Sequence, residues 1–512
     1  MIRKTTSAAL RTGWRLPAAK SRPPGALLVA ALLLPLTGCA VGPDFNKPAP
    51  PPVSDYTAHP ATATVATDGP GGDSQHFVKG ADIAADWWTL YHSRALSALI
   101  EQALANNHDL KAAQAALLVA REHTAAQRGA FFPTLTGSFA ASRQSQPQTL
   151  APVPNSNTFT YNLFTPQVSV SYVPDVFGLT RRTVESYKAQ EEQAHFQLAA
   201  AYTTLINNVV VAAVQAGTVE AQIEATHQLI DANTKMVEIL KNQLAKGYAS
   251  RIDLAAQEAQ LAQTVATLPP LIKQQAQLHD QLAVLTGQYP SQAPEQKFEL
   301  ANLSLPKDVP VSLPSRLVEQ RPDVLQAEEN MHAASAQIGV AIANRLPNIQ
   351  LTANAGSTAL AIGQVFGPGT NFWSLGSSLT ATIFDGGALL HQERAARAAY
   401  TQAAEQYRST VLNAFQNVAD TLTALEQDAE GLKAAASAEA AARSTLTLTQ
   451  RRSQDGYASY LSLLIAEQSY QQARINLIQA QANRYTDTAA LFQALGAGWW
   501  HRADLNGAEN AN

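Results

Sequence analysis

A single cysteine in 512 residues excludes an intrachain disulfide framework and any cysteine-rich zinc site. Charge is scarce too, at 15% of residues against roughly a quarter in ordinary soluble domains. The formal net charge of -4 offers no basic surface for nucleic acid. Aromatic residues make up only 7%, so the hydrophobic share of 46% must come from smaller side chains. Alanine alone supplies 94 residues, and alanine favours helix and close helix contact. After the amino-terminal region no uninterrupted apolar run reaches the 18 or more residues that a transmembrane helix needs. Any passage through a bilayer must then be made by strands. Catalytic signatures are missing as well: no His-Glu-x-x-His, no Gly-x-Ser-x-Gly, no phosphate loop ending in Gly-Lys-Ser/Thr, and 11 scattered histidines. Neither an enzyme nor a bound cofactor or metal is expected.

What is present begins with an address. Residues 1 to 24 carry Arg3, Lys4, Arg11, Arg15, Lys20 and Arg22 without an acid, and Gly25 to Leu36 is almost purely apolar. A basic region followed by an apolar stretch too short to span a bilayer reads as a secretory signal. It ends in Leu36-Thr37-Gly38-Cys39, which resembles a bacterial lipobox, where the cysteine receives a lipid and becomes residue one. A buried cysteine beside an ordinary cleavage site is the plainer alternative; position and composition together favour lipidation of Cys39. Ala40, rather than Asp, follows it, and resemblance to sorted Gram-negative lipoproteins implies an outer membrane anchor. Removing residues 1–38 leaves 30 basic against 40 acidic residues, so the processed chain is acidic at a formal charge of -10. Residues 39–80 hold seven prolines and the run Gly69-Pro70-Gly71-Gly72, and read as an extended linker from the lipid.

The rest of the chain repeats. Asp109-Leu110, Ala113 and Pro133 recur as Asp323-Val324, Ala327 and Pro347 at an offset of 214. Gly247-Tyr248-Ala249-Ser250 recurs as Gly456-Tyr457-Ala458-Ser459 at 209, with Leu282 and Gly287 matching Leu491 and Gly496. The change of offset must fall between Pro133 and Gly178, so residues 81–300 and 301–496 are two copies of one plan, followed by a tail at 497–512.

Each copy changes period in the same order. A helical stretch over 93–130 gives way to alternation, with Leu135, Gly137, Phe139 and Ala141 on one face and Thr134, Thr136 and Ser138 on the other. Val168, Val170 and Tyr172 alternate with Gln167, Ser169 and Ser171. In the second copy Ile349, Leu351, Ala353 and Ala355 form one strand; Trp373, Leu375, Leu379, Ala381 and Ile383 oppose Ser374, Ser378, Thr380 and Thr382 in the next. Strands of about 9 to 11 residues are long enough to cross a bilayer when tilted. No proline occurs between Pro174 and Pro269 or after Pro368, so Gly178 to Gly247 and Gly387 to Gly456 can each run as one helix of about 100 Å. Shorter helices return over Ser250 to Leu285 and Ser459 to Leu495. Half-length helices before and after each hairpin can stack end to end along the long one.

Four strands cannot close a barrel, and an open edge in lipid leaves backbone groups unpaired at several kcal/mol each. Two copies would give eight strands filled by side chains; three would give twelve and a lumen. A soluble β-sandwich beside a coiled coil is the alternative that alternation alone leaves open.

Taken together, the residues resemble the TolC-like outer membrane efflux proteins, in the lipidated, NodT-like lineage that serves tripartite drug pumps. The marks are Val41-Gly42-Pro43-Asp44-Phe45, Trp87-Trp88, Leu313-Pro314-Ser315 through Arg321-Pro322-Asp323 with Ala327-Glu328, Asp175-Val176-Phe177-Gly178 and Phe384-Asp385-Gly386-Gly387. The resemblance implies an α+β membrane protein, internally duplicated. Each protomer would give four strands to a trimeric twelve-stranded barrel, continuous with a coiled-coil helical tunnel through the periplasm. It implies a collar from residues near 80–92, 288–312 and the tail, and a passive duct exporting small molecules. Its partners would be two further copies, outer membrane lipids, a periplasmic adaptor and an inner-membrane pump, of the RND type or ATP-driven. A structural periplasm-spanning lipoprotein or a protein-secretion tunnel subunit is the competing reading.

Two sets of working residues follow from the resemblance. Asp420, in Phe415-Gln416-Asn417-Val418-Ala419-Asp420, matches the region where the family narrows its periplasmic mouth, and threefold symmetry would make it a carboxylate ring. The opposing view is a solvated helix acid. The turns Gly247, Tyr248, Ala249, Ser250 and Gly456, Tyr457, Ala458, Ser459 would lie at the tip, where small residues leave a groove for the adaptor. A plain helix-turn-helix corner would use glycine there anyway.

Overall fold

The computed structural model describes residues 40–145, 147, 160–292, 298–455 and 457–506. The expected signal at 1–38, the lipidation residue Cys39, and Gly456 of the second turn lie outside the described residues.

A short strand β1 (His76–Lys79) precedes helices α1 (Arg94–Asn106) and α2 (His108–Arg128) and the hairpin β2 (Thr134–Ser145) and β3 (Thr160–Tyr172). Helix α3 (Leu179–Ala245) descends and α4 (Arg251–Leu285) returns. The second passage runs β4 (Asp308–Val311), α5 (Pro314–Gln320), α6 (Pro322–Ala343), β5 (Asn348–Ser357), β6 (Asn371–Thr380), α7 (Ala388–Gln454) and α8 (Tyr460–Ala494). Both long helices have 67 residues and both return helices 35, so the shafts match in length at about 100 Å. The first hairpin has the longer strands, where the change of offset falls. Strand β6 ends at Thr380, short of Ile383, because the chain must turn into α7.

The long helices start where an aspartate can satisfy their free amides. Asp175 accepts from the Thr180 and Arg181 amides at 2.8 and 2.9 Å, and Asp385 from those of Gly387 and Leu389, both at 2.8 Å. Gly178 and Gly387 take left-handed φ of 82° and 89°, which lets the strand exit bend into the helix axis. This is the physical content of the two Asp-containing junction motifs. Pro269 and Pro270 do not stop α4; both are exposed, so water can satisfy the carbonyls they leave unbonded.

End-to-end stacking is built from side chains at equivalent positions. Asn107 caps α2 through the Leu110 amide and donates to the carbonyl of Leu285, the last residue of α4. Arg321 precedes α6 and donates to the carbonyl of Ala494, the last residue of α8, at 3.0 Å. Each return helix is thereby joined to the short helix of its own half.

Helix α3 is the centre of the molecule, touching α1, α2, α4, α6 and α8. One stretch of it is apolar and long enough for a membrane span, yet Tyr202, Ile206, Val209, Val210 and Val214 within it are buried in protein. Around it a collar forms from the expected segments. Trp87 stacks on Phe492 with ring centroids 4.7 Å apart, and Tyr91 donates to the Tyr485 carbonyl. Trp499 donates to the Gln320 carbonyl, and β1 pairs in parallel with β4.

The segment read as a linker is extended but not a loose tether. Gly42 crosses α6 against Gly339 so closely that a Cβ would sit 2.5 Å from the Gly339 Cα. Further along, Phe45 stacks on His332, Tyr56 donates to the Ser312 carbonyl, and Arg484 reaches the carbonyls of Gly71 and Asp73. Residues 41–75 thus form a strap down the side of the shaft.

Candidate functional site

The four long strands form one antiparallel sheet in the order β2-β3-β5-β6. Its register sorts the side chains by chemistry. Leu135 opposes Val170, Val170 opposes Ala353 and Ala353 opposes Leu375, giving an apolar face. On the other face Thr136 opposes Ser169, Ser169 opposes Asn354 and Asn354 opposes Ser374. Because side chains alternate with period two, one register suffices to set all four strands. The apolar face is open: Leu135, Trp373 and Leu375 are 69%, 76% and 75% exposed. Strands β2 and β6 lie at the edges, each paired on one side only among the described residues.

At the far end of the shaft the two turns share one construction. Gly247 has φ 80° and donates to the Leu244 carbonyl, while the Tyr248 amide reaches back to Gln243 at 2.9 Å. That is a Schellman closure. Tyr457 makes the equivalent bond to Arg452 at 2.7 Å. Ser250 then opens α4 through a capping box with Asp253, and Ser459 accepts from the Ser462 amide. Gly247, Ser250 and Ser459 are therefore explained by the turn alone. The tyrosines are not: Tyr248 and Tyr457 are 82% and 78% exposed, beside the open side chains of Ile252 and Leu461. Ala249 and Ala458 are half-buried beneath them.

Asp420 is placed differently from the expectation. It lies within α7 about 35 residues before Asp455, which caps the helix end, so roughly 50 Å separate it from the tip. Its carboxylate is exposed and accepts from Gln416 at 3.3 Å. The reading as a mouth residue is corrected by this geometry: a ring of such carboxylates would sit at mid-shaft. Counting back from the second turn would have shown it.

Near the tip the α3–α4 hairpin meets the α7–α8 hairpin through amides and hydroxyls that sequence reading passed over. Gln468 donates to Gln260 at 2.8 Å and the Tyr460 hydroxyl donates to Gln257 across the seam, while Gln257 donates to Asn233 at 2.7 Å within the α3–α4 hairpin. Asn233, Gln257, Gln260 and Thr264 are all buried. Their legible signal is position, since they occupy places where a coiled-coil stripe would carry leucine.

At the sheet end the strap is locked by ions. Arg182, 5% exposed in its side chain, donates to the carbonyls of Val41 and Gly42 and to the carboxylates of Asp44 and Glu185. His332 lies between Glu185 and Glu329 at 3.2 and 3.1 Å, and these carboxylates push its pKa up to about 9. Glu185 is held below the usual carboxylate range, by His332 first and Arg182 next, against the effect of burial.

A two-faced sheet with free edges, carried on helices of about 100 Å, defines a protomer of a channel that crosses a membrane and reaches far beyond it. The family model for outer membrane efflux proteins matches residues 99–288 and 313–497, one match in each repeat. The chain belongs to the outer membrane efflux protein family, and works in the outer membrane as an efflux channel that extends into the periplasm. It is 28% identical over 483 residues to the toluene efflux pump outer membrane protein TtgC of Pseudomonas putida, covering 93% of this chain and 96% of that protein. Nodulation protein T of Rhizobium leguminosarum bv. trifolii is 26% identical over 466 residues, covering 91% and 95%. Among solved structures, the outer-membrane channel OprN is similar at TM-score 0.81 and 25% identity, covering 90% of this chain and 100% of that one.

Proposed function

We propose that three copies of this chain close into one passive duct, β2 of each protomer pairing with β6 of the next. The observation that carries this is the sheet: two-faced, four-stranded, and paired on one side only at each edge. Three copies give twelve strands and a lumen, which the serine, threonine and asparagine face would line, leaving Leu135, Trp373 and Leu375 to lipid. The duct carries small molecules handed to it by an inner-membrane pump of the RND type through a periplasmic adaptor. The adaptor seats on the tip turns, at Tyr248 and Tyr457, whose exposure the turn geometry does not require. Cys39 bears the lipid. Its neighbour Ala40 lies against Gly178, at the base of the sheet, which is where an acyl chain could reach the bilayer.

The test is the mass and conductance of the purified protein. A trimer that conducts in planar bilayers, and that restores solvent or antibiotic tolerance to a strain lacking its own efflux channel, is expected. A trimer that neither conducts nor restores tolerance would favour the structural-lipoprotein reading. A dimer would refute the duct.

A further inference from the structure

The polar seam between the two hairpins contains one carboxyl group that none of the preceding roles uses. Glu467, on α8, is 8% exposed, and its Oε2 has no hydrogen-bond partner among the described residues. It lines a cavity of about 100 Å³ with Asn233, Gln260, Gln450, Tyr470 and Arg474. The α3 and α4 lining is uncharged: Ala225, Gln228, Leu229, Ala232 and Asn233 from the first, Gln260 from the second. Helix α7 contributes Leu446 and Gln450, and α8 itself contributes Tyr470 and Arg474, with Tyr460 close enough to be influenced by the Glu467 charge. Arg474 lies 3.8 Å from Glu439, which Arg443 also holds. A carboxylate here is buried and has no ion pair of its own among the described residues.

We propose that Glu467 is a proton-operated latch: protonated, it lets the α7–α8 hairpin pack against α3–α4 near the tip, and ionised it loosens that seam. A neutral carboxyl can donate to an amide oxygen of the seam, whereas a carboxylate adds an unpaired charge to a buried surface. Burial pushes the Glu467 pKa up to about 7, against the smaller opposing effect of the Gln257 amide. The direction follows by linkage. The packed seam retains a proton that the separated hairpins release near the usual value of 4.5, so packing is firmest below pH 4.5 and weakens up to about 7. At one decade per pH unit, the ratio of packed to loosened forms falls at most a few hundredfold across that window.

The inference rests on the duct reading only for its consequence, which is a tip that opens more readily as pH rises. Its test does not need conductance. Spin labels at Tyr248→Cys and Tyr457→Cys in the full-length, membrane-extracted protein report the distance between the two turns by pulsed EPR. In the otherwise wild-type chain the distance distribution should broaden and lengthen between pH 4.5 and 7.5. With Glu467→Gln it should stay at its low-pH form throughout, and with Gln257→Leu the midpoint should move upward. Identical pH profiles with and without Glu467→Gln, or no pH response in either, would overturn the latch even if the protein conducts. Absence of conductance with a Glu467-dependent distance change would instead retire the duct and keep the latch.

Discussion

Replacing Arg182 with alanine should free the strap at its upper end while leaving the shaft folded. The guanidinium makes four hydrogen bonds: 3.0 Å to the Val41 carbonyl, 3.3 Å to that of Gly42, 2.8 Å to Asp44 and 2.8 Å to Glu185. They are not equal. Asp44 is 89% exposed, so water screens that pair to about 0–1 kcal/mol. The two carbonyl bonds come from a charged, buried donor at about 1.5–3 kcal/mol each. Glu185 keeps His332 as a partner after the substitution, so it is not left as an orphaned charge. The strap should lose about 3–5 kcal/mol of docking, a factor of roughly 10² to 10⁴ in its local opening equilibrium. Hydrogen exchange reads this directly, because the Val41 amide bonds the Phe177 carbonyl at 3.1 Å and exchanges only when the strap lifts. Exchange at Val41 should accelerate by about two to four decades in Arg182→Ala, with amides of Ile206 to Val214 in α3 unchanged. Unchanged exchange at Val41 would show that the strap is held elsewhere. Equal acceleration in α3 would show that Arg182 supports the shaft and not the strap.

Three further outcomes test other parts of the structure. His332 gains a proton affinity on folding that puts its pKa near 9 against a usual 6.5, so its stabilisation is complete below pH 6.5 and lost as pH rises through about 9. Exchange at Val41 should quicken between pH 7 and 10 beyond the intrinsic chemical rate, and this excess should vanish in His332→Gln. Leu375→Arg places a charge on the apolar face and should destabilise the assembled barrel by about 2–4 kcal/mol, seen as loss of the trimer by size-exclusion chromatography with light scattering. Ser374→Arg, one residue away on the polar face, should leave the oligomer intact and alter its ion selectivity; the reverse pattern would invert the assignment of faces. Asp175→Ala removes the cap of α3 and should cost about 1 kcal/mol, measured as a fall in Tm, and no change would mean that Gly178 and neighbouring contacts suffice.

Much of the architecture was legible because it rests on local signals. The absence of proline over 175–268 and after Pro368, with glycines at both ends, marks helices that the structure begins and ends within two residues of those glycines. Alternation put Leu135, Val168 and Leu375 on one face without knowledge of register, since a period of two survives any even shift. The strap was not legible in that way. Arg182 meets residues about 140 positions earlier in the chain, and a proline-rich stretch has no periodicity to report what it docks against. Asp420 was misplaced because a motif match names a region without measuring its distance from the turn. Glu467 left only a faint mark, a carboxyl in register with the buried Leu463 and Ala466.

The two halves are equal in length and unequal in grip, and that difference bears on where the channel can move. Helix α3 is packed by α1, α2, α4, α6 and α8, whereas α7 is packed chiefly by α6 and α8 and leaves Leu412 and Leu448 open at 71% and 57%. The strap ties both halves together from Arg182 down to Arg484, whose buried guanidinium also reaches the Leu425 carbonyl of α7. Below Arg484 the strap ends, and the α7–α8 hairpin is held to α3–α4 near the tip largely through neutral hydrogen bonds. Those contribute about 1 kcal/mol each, and their loss to water is nearly compensated. Burial of Val209, Val210 and Val214 at the collar, at about 25 cal/mol per Å², has no such replacement. Motion should therefore concentrate below the strap. Exchange at residues 440–452 and 460–475 should report opening free energies several kcal/mol below those at 205–216. Uniform protection along the full length of α7 and α8 would mean that the shaft moves as one rigid body and that the polar seam is as firm as the apolar collar.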